Sequence, residues 1–376
     1  MADLEGILED YGTRLNHAVT VYINGSKFNS DHLFLQSLEF EGSVWSEASV
    51  CVLRYRCALL DGFDLHKDFA SAKIGVKLKV ESGYIKSNSS SVDTIFEGYV
   101  YSIGAEIENN YTFLEVSGMD GKIWMMSSKI TEMKKDKKKF SEIVSEITTK
   151  YSGKFSGGTS VSIKGEPELT SPIYQRDESD FEFLCRLANT TGSFFYVFLG
   201  KLFFTSPSVN KSVKLNIAPC VGVKSVKFYA NLFGVPKEVE VKAIKKEDIS
   251  QAEISKAQPS SSIGSGQTAQ SLSSNISAPN VISMVSNYST TPGEAKFLAE
   301  SKMILRSFFV KCVVKTDFFV GAELGTGTKL KKFGDPFDNN YLTTGIRHVY
   351  DGEHSDFFTF LTLQSDSFTP KSPFRI

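Results

Sequence analysis

The chain has 376 residues, too many for one ordinary hydrophobic core, so two or three domains are expected. Hydrophobic residues make up 41% and charged residues 23%, which excludes a disordered chain, and a formal net charge of −1 gives no general pull toward nucleic acid or anionic membranes. No apolar run approaches the roughly 20 residues of a membrane span, and the acidic opening Met1-Ala-Asp-Leu-Glu-Gly6 lacks the apolar core of a signal peptide, so synthesis and folding in the cytosol are expected.

The segment up to about Asp120 reads as strands, in keeping with 30 Phe and 14 Tyr in the whole chain. Val19, Val21 and Ile23 alternate with polar neighbours, and Asn24-Gly25 then supplies a hairpin turn. Leu33 to Phe40 and Val50 to Cys57 continue the pattern. Ile74, Val76, Leu78 and Val80 alternate with Gly75, Lys77, Lys79 and Glu81, as suits a strand wet on one face. Ser87 to Ser91 reads as a polar loop, and Thr94 to Ile107 and Thr112 to Gly118 as strands joined at Asn109-Asn110. Six or so strands of this kind predict a small barrel or sandwich. Cys51 and Cys57 share a predicted strand, where six residues span about 20 Å, too far for a disulfide. With an odd total of five cysteines and no C-x-x-C pair, buried free thiols are expected.

Near Met119 the character changes. Lys134-Lys-Asp-Lys-Lys-Lys139 is a charge run whose position before a helix is unfavourable for the helix dipole, so it reads as a solvated loop or a surface for an acidic partner. Phe140, Ile143, Val144, Ile147 and Tyr151 mark an amphipathic helix, and Val161 to Ile163 a short strand. The next stretch is the most informative. Ser179 followed by Glu182 forms a capping box; Phe181, Leu184, Cys185 and Ala188 then make one apolar stripe, Gly192 lies past the stop, and an aromatic strand follows from Phe194. Lys201 to Thr205 pairs with it as a hairpin around Gly200.

From Val213 the strand pattern returns, at Val213 to Ile217, Val223 to Tyr229 and Val239 to Ile244. Asp248 to Ser289 is dominated by Ser, Gln, Ala and Gly and reads as a mobile or disordered inserted loop. Thr291-Pro292-Gly293-Glu294 is a second capping box with proline at the first helical position, starting a helix with Ala295, Leu298, Ala299 and Leu305 on one side. Phe308 to Lys315, Thr328 to Phe333, Tyr341 to Tyr350 and Phe357 to Leu363 complete a second set of strands.

No catalytic constellation emerges from these elements. His17, His32, His66, His348 and His354 are scattered without metal-ligand spacing, and His348 reads as a partly exposed strand residue. Gly321-Ala-Glu-Leu-Gly325-Thr-Gly327-Thr-Lys329 lacks the spacing of a phosphate loop and reads as a turn between strands; Gly264-Ser265-Gly266 is not a nucleophile elbow. Glu178, Asp180 and Glu182 could serve a glycosidase, but capping and the helix dipole account for them. The lysines of the strand near Leu78 lie on one face without interleaved aromatics, a poor match to nucleic-acid recognition.

Tyr174-Gln175, Asp177-Glu178-Ser179-Asp180-Phe181, Phe183-Leu184-x-Arg186-Leu187-Ala188 and Gly192-x-Phe194-Phe195-Tyr196 resemble the signature of the contractile-tail baseplate hub family, phage late-control protein D and the N-terminal part of the VgrG spike protein. Phe96-Glu-Gly-Tyr-Val100 and Gly118-Met-Asp120 resemble the closing strands of that family's first barrel. Tyr341 to His348 resembles a strand near the end of its second. The resemblance covers roughly residues 15 to 365. It implies an α+β, β-rich fold: a first tube-like β-barrel at 1–125, a small α/β module at 126–210, and a second tube-like barrel at 211–376 carrying the Ser-rich insertion at about 248–289. It further implies a homotrimer that adapts a hexameric tail tube to a three-fold spike, assembled in the bacterial cytoplasm into a phage tail, tailocin or related particle. Tyr174, Glu178, Ser179, Asp180, Phe181, Phe183, Leu184, Arg186, Leu187, Gly192, Tyr196 and His348 are then structural motif residues. The implied partners are a tail tube protein, a separate spike chain, other baseplate proteins and a tape measure. No cofactor, metal, catalysis, nucleic-acid recognition or stable membrane insertion is expected. The chain stops at Ile376, so the spike is expected on another chain. Two other readings are a cell-wall hydrolase acting through Glu178 or Glu182, and a glycan-binding β-sandwich protein.

Overall fold

The structure is a computed structural model that describes residues 2–10, 17–28, 33–58, 72–85, 90–108, 111–134, 139–207, 212–245, 248–258, 263–273, 281–286 and 291–369. The β-rich α+β class is the expected one, and its core is a 14-stranded sheet. One path through that sheet starts at Val223–Ala230 and runs through Val310–Asp317, Asp356–Ser365 and Asn339–Asp351. It crosses to Phe34–Ser43, then continues through Val50–Ala58, Tyr111–Met119, Ser90–Glu108, Lys77–Ile85 and His17–Ile23. The crossing is an antiparallel register from Gly345 opposite Ser43 to Asp351 opposite Ser37. The strand sets near the two ends of the sequence are therefore one sheet, and among the described strands the pairing forms an open branched path with no closed ring.

Local chemistry explains most of these elements. Asn24 and Gly25 both take positive φ (51° and 81°), the turn that lets His17–Ile23 fold back on Ser26–Lys27. Leu199 and Gly200 do the same between Phe194–Phe198 and Lys201–Thr205. Leu78 and Val80 are buried as their alternation requires, but Ile74 lies in the turn before the strand and is 69% exposed. Gly75, at φ 86°, turns the chain there and ends the alternation early. All five cysteines are free, and Cys51 and Cys312 are buried.

A second core lies beside the sheet. It gathers the helices Phe140–Lys150 and Asp180–Thr191, the strands Phe194–Phe198 and Lys201–Thr205, and the helix Pro292–Arg306. Both long helices after residue 175 carry their capping boxes, at Ser179/Glu182 and Thr291/Glu294, the latter with proline in the first turn. The helix Phe140–Lys150 buries Phe140, Ile143, Val144 and Ile147 as its periodicity predicts. Lys139 gives it no side-chain cap; the carboxylate of Glu166 accepts from the Ser141 backbone N–H (2.9 Å) and from its hydroxyl. A remote carboxylate thus supplies the cap that Lys139 cannot, adding to the negative charge that Glu142 brings to the first turn.

Three expectations are corrected. The helix Asp180–Thr191 buries Phe183, Leu184, Leu187 and Ala188, while Phe181 and Cys185 are only partly buried. The stripe is rotated because the helix packs both on the aromatic strand and on Pro292–Arg306, which widens its buried face. The Ser-rich stretch is not a loop throughout: Asp248–Ala257 and Val281–Ser286 are strands flanking Glu238–Lys245. Val239, Val241 and Ala243 of that central strand face the second core. Backbone pairing to an apolar neighbour recruits flanks whose composition reads as loop. Of the charge run, residues 135–138 lie outside the described residues, but Lys134 is buried, bridging Glu132 (2.7 Å) and Glu146 (2.8 Å). The polar-loop stretch 86–89 and the turn at 109–110 also lie outside them.

Gly192 ends its helix at φ 65°, and a Cβ there would lie 2.6 Å from the Ser301 carbonyl oxygen. Gly192→Ala is therefore expected to lower stability by more than the roughly 1–2 kcal/mol of a left-handed residue alone. Urea unfolding of the variant and parent chains measures the difference.

Candidate functional site

The strand Phe194–Phe198 separates the two cores. Phe194 and Tyr196 belong to the core of the large sheet, while Phe195 and Val197 belong to the second core. Alternation along a strand makes this possible, since successive side chains point to opposite faces. Phe194 meets Trp45 edge-on, with centroids 5.1 Å apart. Tyr196 stacks on Phe203 at 4.9 Å and donates its hydroxyl to the Leu324 carbonyl at 3.2 Å. Burial pushes the Tyr196 phenol up, so it acts as a donor.

Where this strand meets the first half of the chain, a buried polar junction joins three segments. The Asp120 carboxylate accepts from the backbone N–H groups of Ser49 (2.6 Å) and Lys122 (2.8 Å), capping the short helix Gly121–Met125. Lys122 is fully buried, and its Nζ donates to the carbonyls of Ser46 (3.2 Å), Glu47 and Phe195 (3.4 Å). It lies 5.0 Å from the centroid of the Phe195 ring and 3.9 Å from Asp120. Ser49 Oγ donates to the Val197 carbonyl at 3.1 Å. Burial pushes Asp120 up and Lys122 down, each partly offset by the other's charge. Three lysine protons meeting three backbone oxygens is what a buried ammonium requires. Sequence reasoning singled out Asp120 but missed Lys122 and Ser49. The available signal was a lysine two residues after an aspartate at the close of a strand.

The motif residues assemble around the capped helix. Ser179 Oγ accepts from the Glu182 backbone N–H (3.2 Å) and the Glu182 carboxylate accepts from the Ser179 N–H (2.7 Å). Glu178 and Arg186 make a two-point fork, Nε to Oε1 at 2.8 Å and a terminal nitrogen to Oε2 at 2.7 Å, and Arg186 also donates to the Tyr174 carbonyl at 2.6 Å. The Arg186 guanidinium holds the Glu178 carboxyl below its ordinary range. Asp180 accepts from the Tyr151 hydroxyl (2.9 Å) and from the Gln175 side-chain amide (3.1 Å). Phe183, Leu184 and Leu187 are buried, Phe181 packs on Phe195 at 6.0 Å, and the Tyr174 ring is 39% exposed. Glu178, Asp180 and Glu182 are thus each bound to a structural partner: an arginine, a tyrosine with a glutamine, and a helix start. A hydrolase would need one of them protonated and another poised beside it; here Glu178 and Glu182 are held ionised.

His348 stands apart from this helix and is buried, not partly exposed. It stacks on Phe40 at 5.7 Å, meets Phe318 edge-on at 5.1 Å, and shares a hydrogen bond with Thr359 Oγ1 at 2.9 Å. Its neighbours are Phe40 on the paired strand Phe34–Ser43 and Phe318, both distant in sequence, which local sequence does not reveal. Burial pushes His348 down to about 3. His17 packs against Tyr84, His354 pairs with Asp351, and His32 and His66 lie outside the described residues. Among the described residues no group of three His, Cys, Asp or Glu is placed to hold a metal ion. No helix among them is long and apolar enough to cross a membrane.

Two outcomes follow for these buried groups. Lys122→Met leaves the Asp120 carboxylate buried without its cation and is expected to cost about 3–5 kcal/mol. The double variant Lys122→Met with Asp120→Asn recovers a substantial part, which a double-mutant cycle by chemical denaturation measures. For His348, a folded-state value below the unfolded one means that protonation favours the unfolded chain. The native imidazole signal should stay fixed from about pH 8 down to about pH 5. His354, raised by its hydrogen bond to Asp351, should titrate above the range of an ordinary histidine in the same spectra.

A 43 kDa tail protein of prophage MuSo2 from Shewanella oneidensis superposes with a TM-score of 0.68 at 13% identity, covering 94% of this chain and 100% of that one. A tail protein from Neisseria meningitidis gives 0.65 at 11% identity, covering 93% and 97%. An Escherichia coli component of the type VI secretion system gives 0.54 at 9% identity, covering 94% and 80%. At these identities the likeness is one of fold. No curated protein matches the sequence. The family model described as the Alg8 N-terminal domain matches residues 48–351, a stretch that holds the capped helix, the dividing strand and one strand of the sheet crossing, Asn339–Asp351, and the chain belongs to that family.

Proposed function

We propose that this chain is the structural hub of a contractile injection apparatus, a trimeric ring that joins a hexameric tail tube to a three-fold spike. The observation that carries the reading is the sheet crossing between Phe34–Ser43 and Asn339–Asp351, which makes two β-rich halves of one chain into a single sheet. A chain with two such halves can present six similar units from three copies, which is what a six-to-three adaptor needs. The fold shared with tail proteins across more than nine-tenths of the chain supports the same reading.

In this reading residues 1–125 and 211–376 are the two tube-like units and residues 126–210 the module between them. The motif residues from Tyr174 to Tyr196 hold that module's helix against the dividing strand, and His348 fills the core beneath the crossing. The partners are the tube protein, a separate spike chain and neighbouring baseplate proteins. Assembly takes place in the bacterial cytoplasm, and the finished particle carries the chain at the tip of its tube. No turnover is assigned, because the carboxylates of the capped helix are committed to Arg186, Tyr151, Gln175 and the helix start.

Antibody-labelled electron microscopy of particles from producing cells tests this reading. Label is expected at the tube end nearest the spike. Tubes with intact baseplates that carry no label there, in cells where the chain is abundant, would remove it.

A further inference from the structure

The large sheet has open edges at two distant places. At one end, Val223–Ala230 pairs only with Val310–Asp317 among the described residues. Elsewhere, the 19-residue strand Ser90–Glu108 changes partner midway. Its first half pairs with Lys77–Ile85 and its second half with Tyr111–Met119. The stretch 102–107 therefore has a strand on one side only among the described residues, Tyr111–Met119, which is itself paired along its length with Val50–Ala58. Open edges invite another strand, and proteins guard them with charge or use them.

Both edges carry exposed apolar groups. Tyr229 is 53% exposed, and Val221 and Phe233 flank its strand at 85% and 93%; Ile107 and Tyr111 on the hairpin are 57% and 42% exposed. A cavity of about 290 Å³ lined by Pro219, Cys220, Val223, Val226, Phe333 and Phe337 lies alongside the first edge.

The charges of the two edges are opposite. Around the first stand Lys224, Lys227, Lys311 and Lys315, with Asp317 bound to Lys224 at 2.8 Å. On the hairpin stand Glu106, Glu108 and Glu115, with Arg54 bound to Glu106 at 3.2 Å. The register also places both sets on the same face. Lys315 lies opposite Phe360, Phe360 opposite Arg347, Arg347 opposite Glu41, Glu41 opposite Val50 and Val50 opposite Met119. Stepping by twos from Met119 reaches Glu115, Phe113 and Tyr111, the last two opposite Glu106 and Glu108, and from Lys315 reaches Val313, opposite Lys227, and Lys311, so alternation keeps these lysines and glutamates on one side, while Lys224 sits at the bulge between Val223 and Ser225.

We infer that these two edges pair with each other between copies of this chain, strand Val223–Ala230 of one copy adding to the hairpin stretch 102–107 of the next. The occupant is a second copy because one chain offers both halves of the match. The edges differ in sequence and charge, so the contact is head-to-tail and builds a ring when the rotation closes. The lysines discourage two copies of the basic edge from pairing, and the glutamates discourage two acidic edges, which leaves the mixed pairing favoured. The face bearing the lysines and glutamates then continues from copy to copy as one wall. This rests on the ring proposed above and names the surfaces that close it.

Sedimentation equilibrium of the purified full chain tests the pairing. The parent chain is expected at three copies, and K227E/K311E and E106K/E115K each at one copy with unchanged far-ultraviolet circular dichroism. The chain carrying all four substitutions is expected back at three copies, since both edges are reversed together. In hydrogen exchange, the amides of 223–230 that point away from Val310–Asp317 and those of 102–107 that point away from Tyr111–Met119 should be slow in the parent and fast in K227E/K311E, while those of the buried strand Phe34–Ser43 stay slow in both. A parent that remains a single copy at every concentration overturns the inference. So does an assembly that survives both reversals, or a folded four-fold variant that fails to assemble. Labelled particles in the microscope together with any of those results would leave the hub reading standing and remove only the edge pairing.

Discussion

The structure depends on a strand that has no exposed face. Phe194–Phe198 gives alternate side chains to two hydrophobic cores, so both cores must form for either face to be buried. A large aromatic side chain fully removed from water contributes roughly 1.5–3 kcal/mol, and this strand commits three of them within three residues. The cost is that its backbone groups lie far from solvent and need partners inside the protein. Lys201–Thr205 pairs one edge, and the side chains of Lys122 and Ser49 bond the carbonyls of Phe195 and Val197. A buried lysine is expensive in isolation, yet here it joins the loop at Ser46 and Glu47 to the dividing strand. Asp120 holds the same loop through the Ser49 amide.

That junction explains why the capped helix carries so many charges. The helix Asp180–Thr191 ends immediately before the dividing strand, so any drift in its start is passed on to Phe194 and Tyr196. The capping box, the Arg186 fork on Glu178 and the acceptance by Asp180 from Tyr151 and Gln175 each tie its first turn to a different neighbour. At its far end Gly192 lies against the Ser301 backbone, where a side chain would not fit. Positioning accounts for every carboxylate in the group.

The chain's two ends meet in the same way, by surrendering independence. Asn339–Asp351 takes Gly327–Leu330, Asp356–Ser365 and Phe34–Ser43 as neighbours at different points along its length. His348 is buried at this crossing between Phe40 and Phe318, and its imidazole is held neutral there. A sheet assembled across more than 300 residues of sequence forms late and cooperatively, because its contacts carry the entropy of long loop closures.

Much of the local structure was determined by the sequence itself. Capping boxes at Ser179 and Thr291, positive-φ turns at Asn24-Gly25 and at Gly200, and the stripe Phe140, Ile143, Val144, Ile147 act within a few residues, where hydrogen-bond stereochemistry and periodicity suffice. The local elements of Tyr174 to Tyr196 were legible for the same reason, since they are a helix start, a helix stop and an aromatic strand in fixed order. Tertiary structure alone decided the rest. Which face of Asp180–Thr191 is buried depends on Pro292–Arg306, more than a hundred residues away. The strands within Asp248 to Ser286 depend on the apolar neighbour that pairs with them. Lys122 could be read as an ordinary surface lysine until three remote carbonyls surrounded it. These outcomes are set by contacts between distant segments, and a sequence states its local preferences without stating which distant partner will satisfy them.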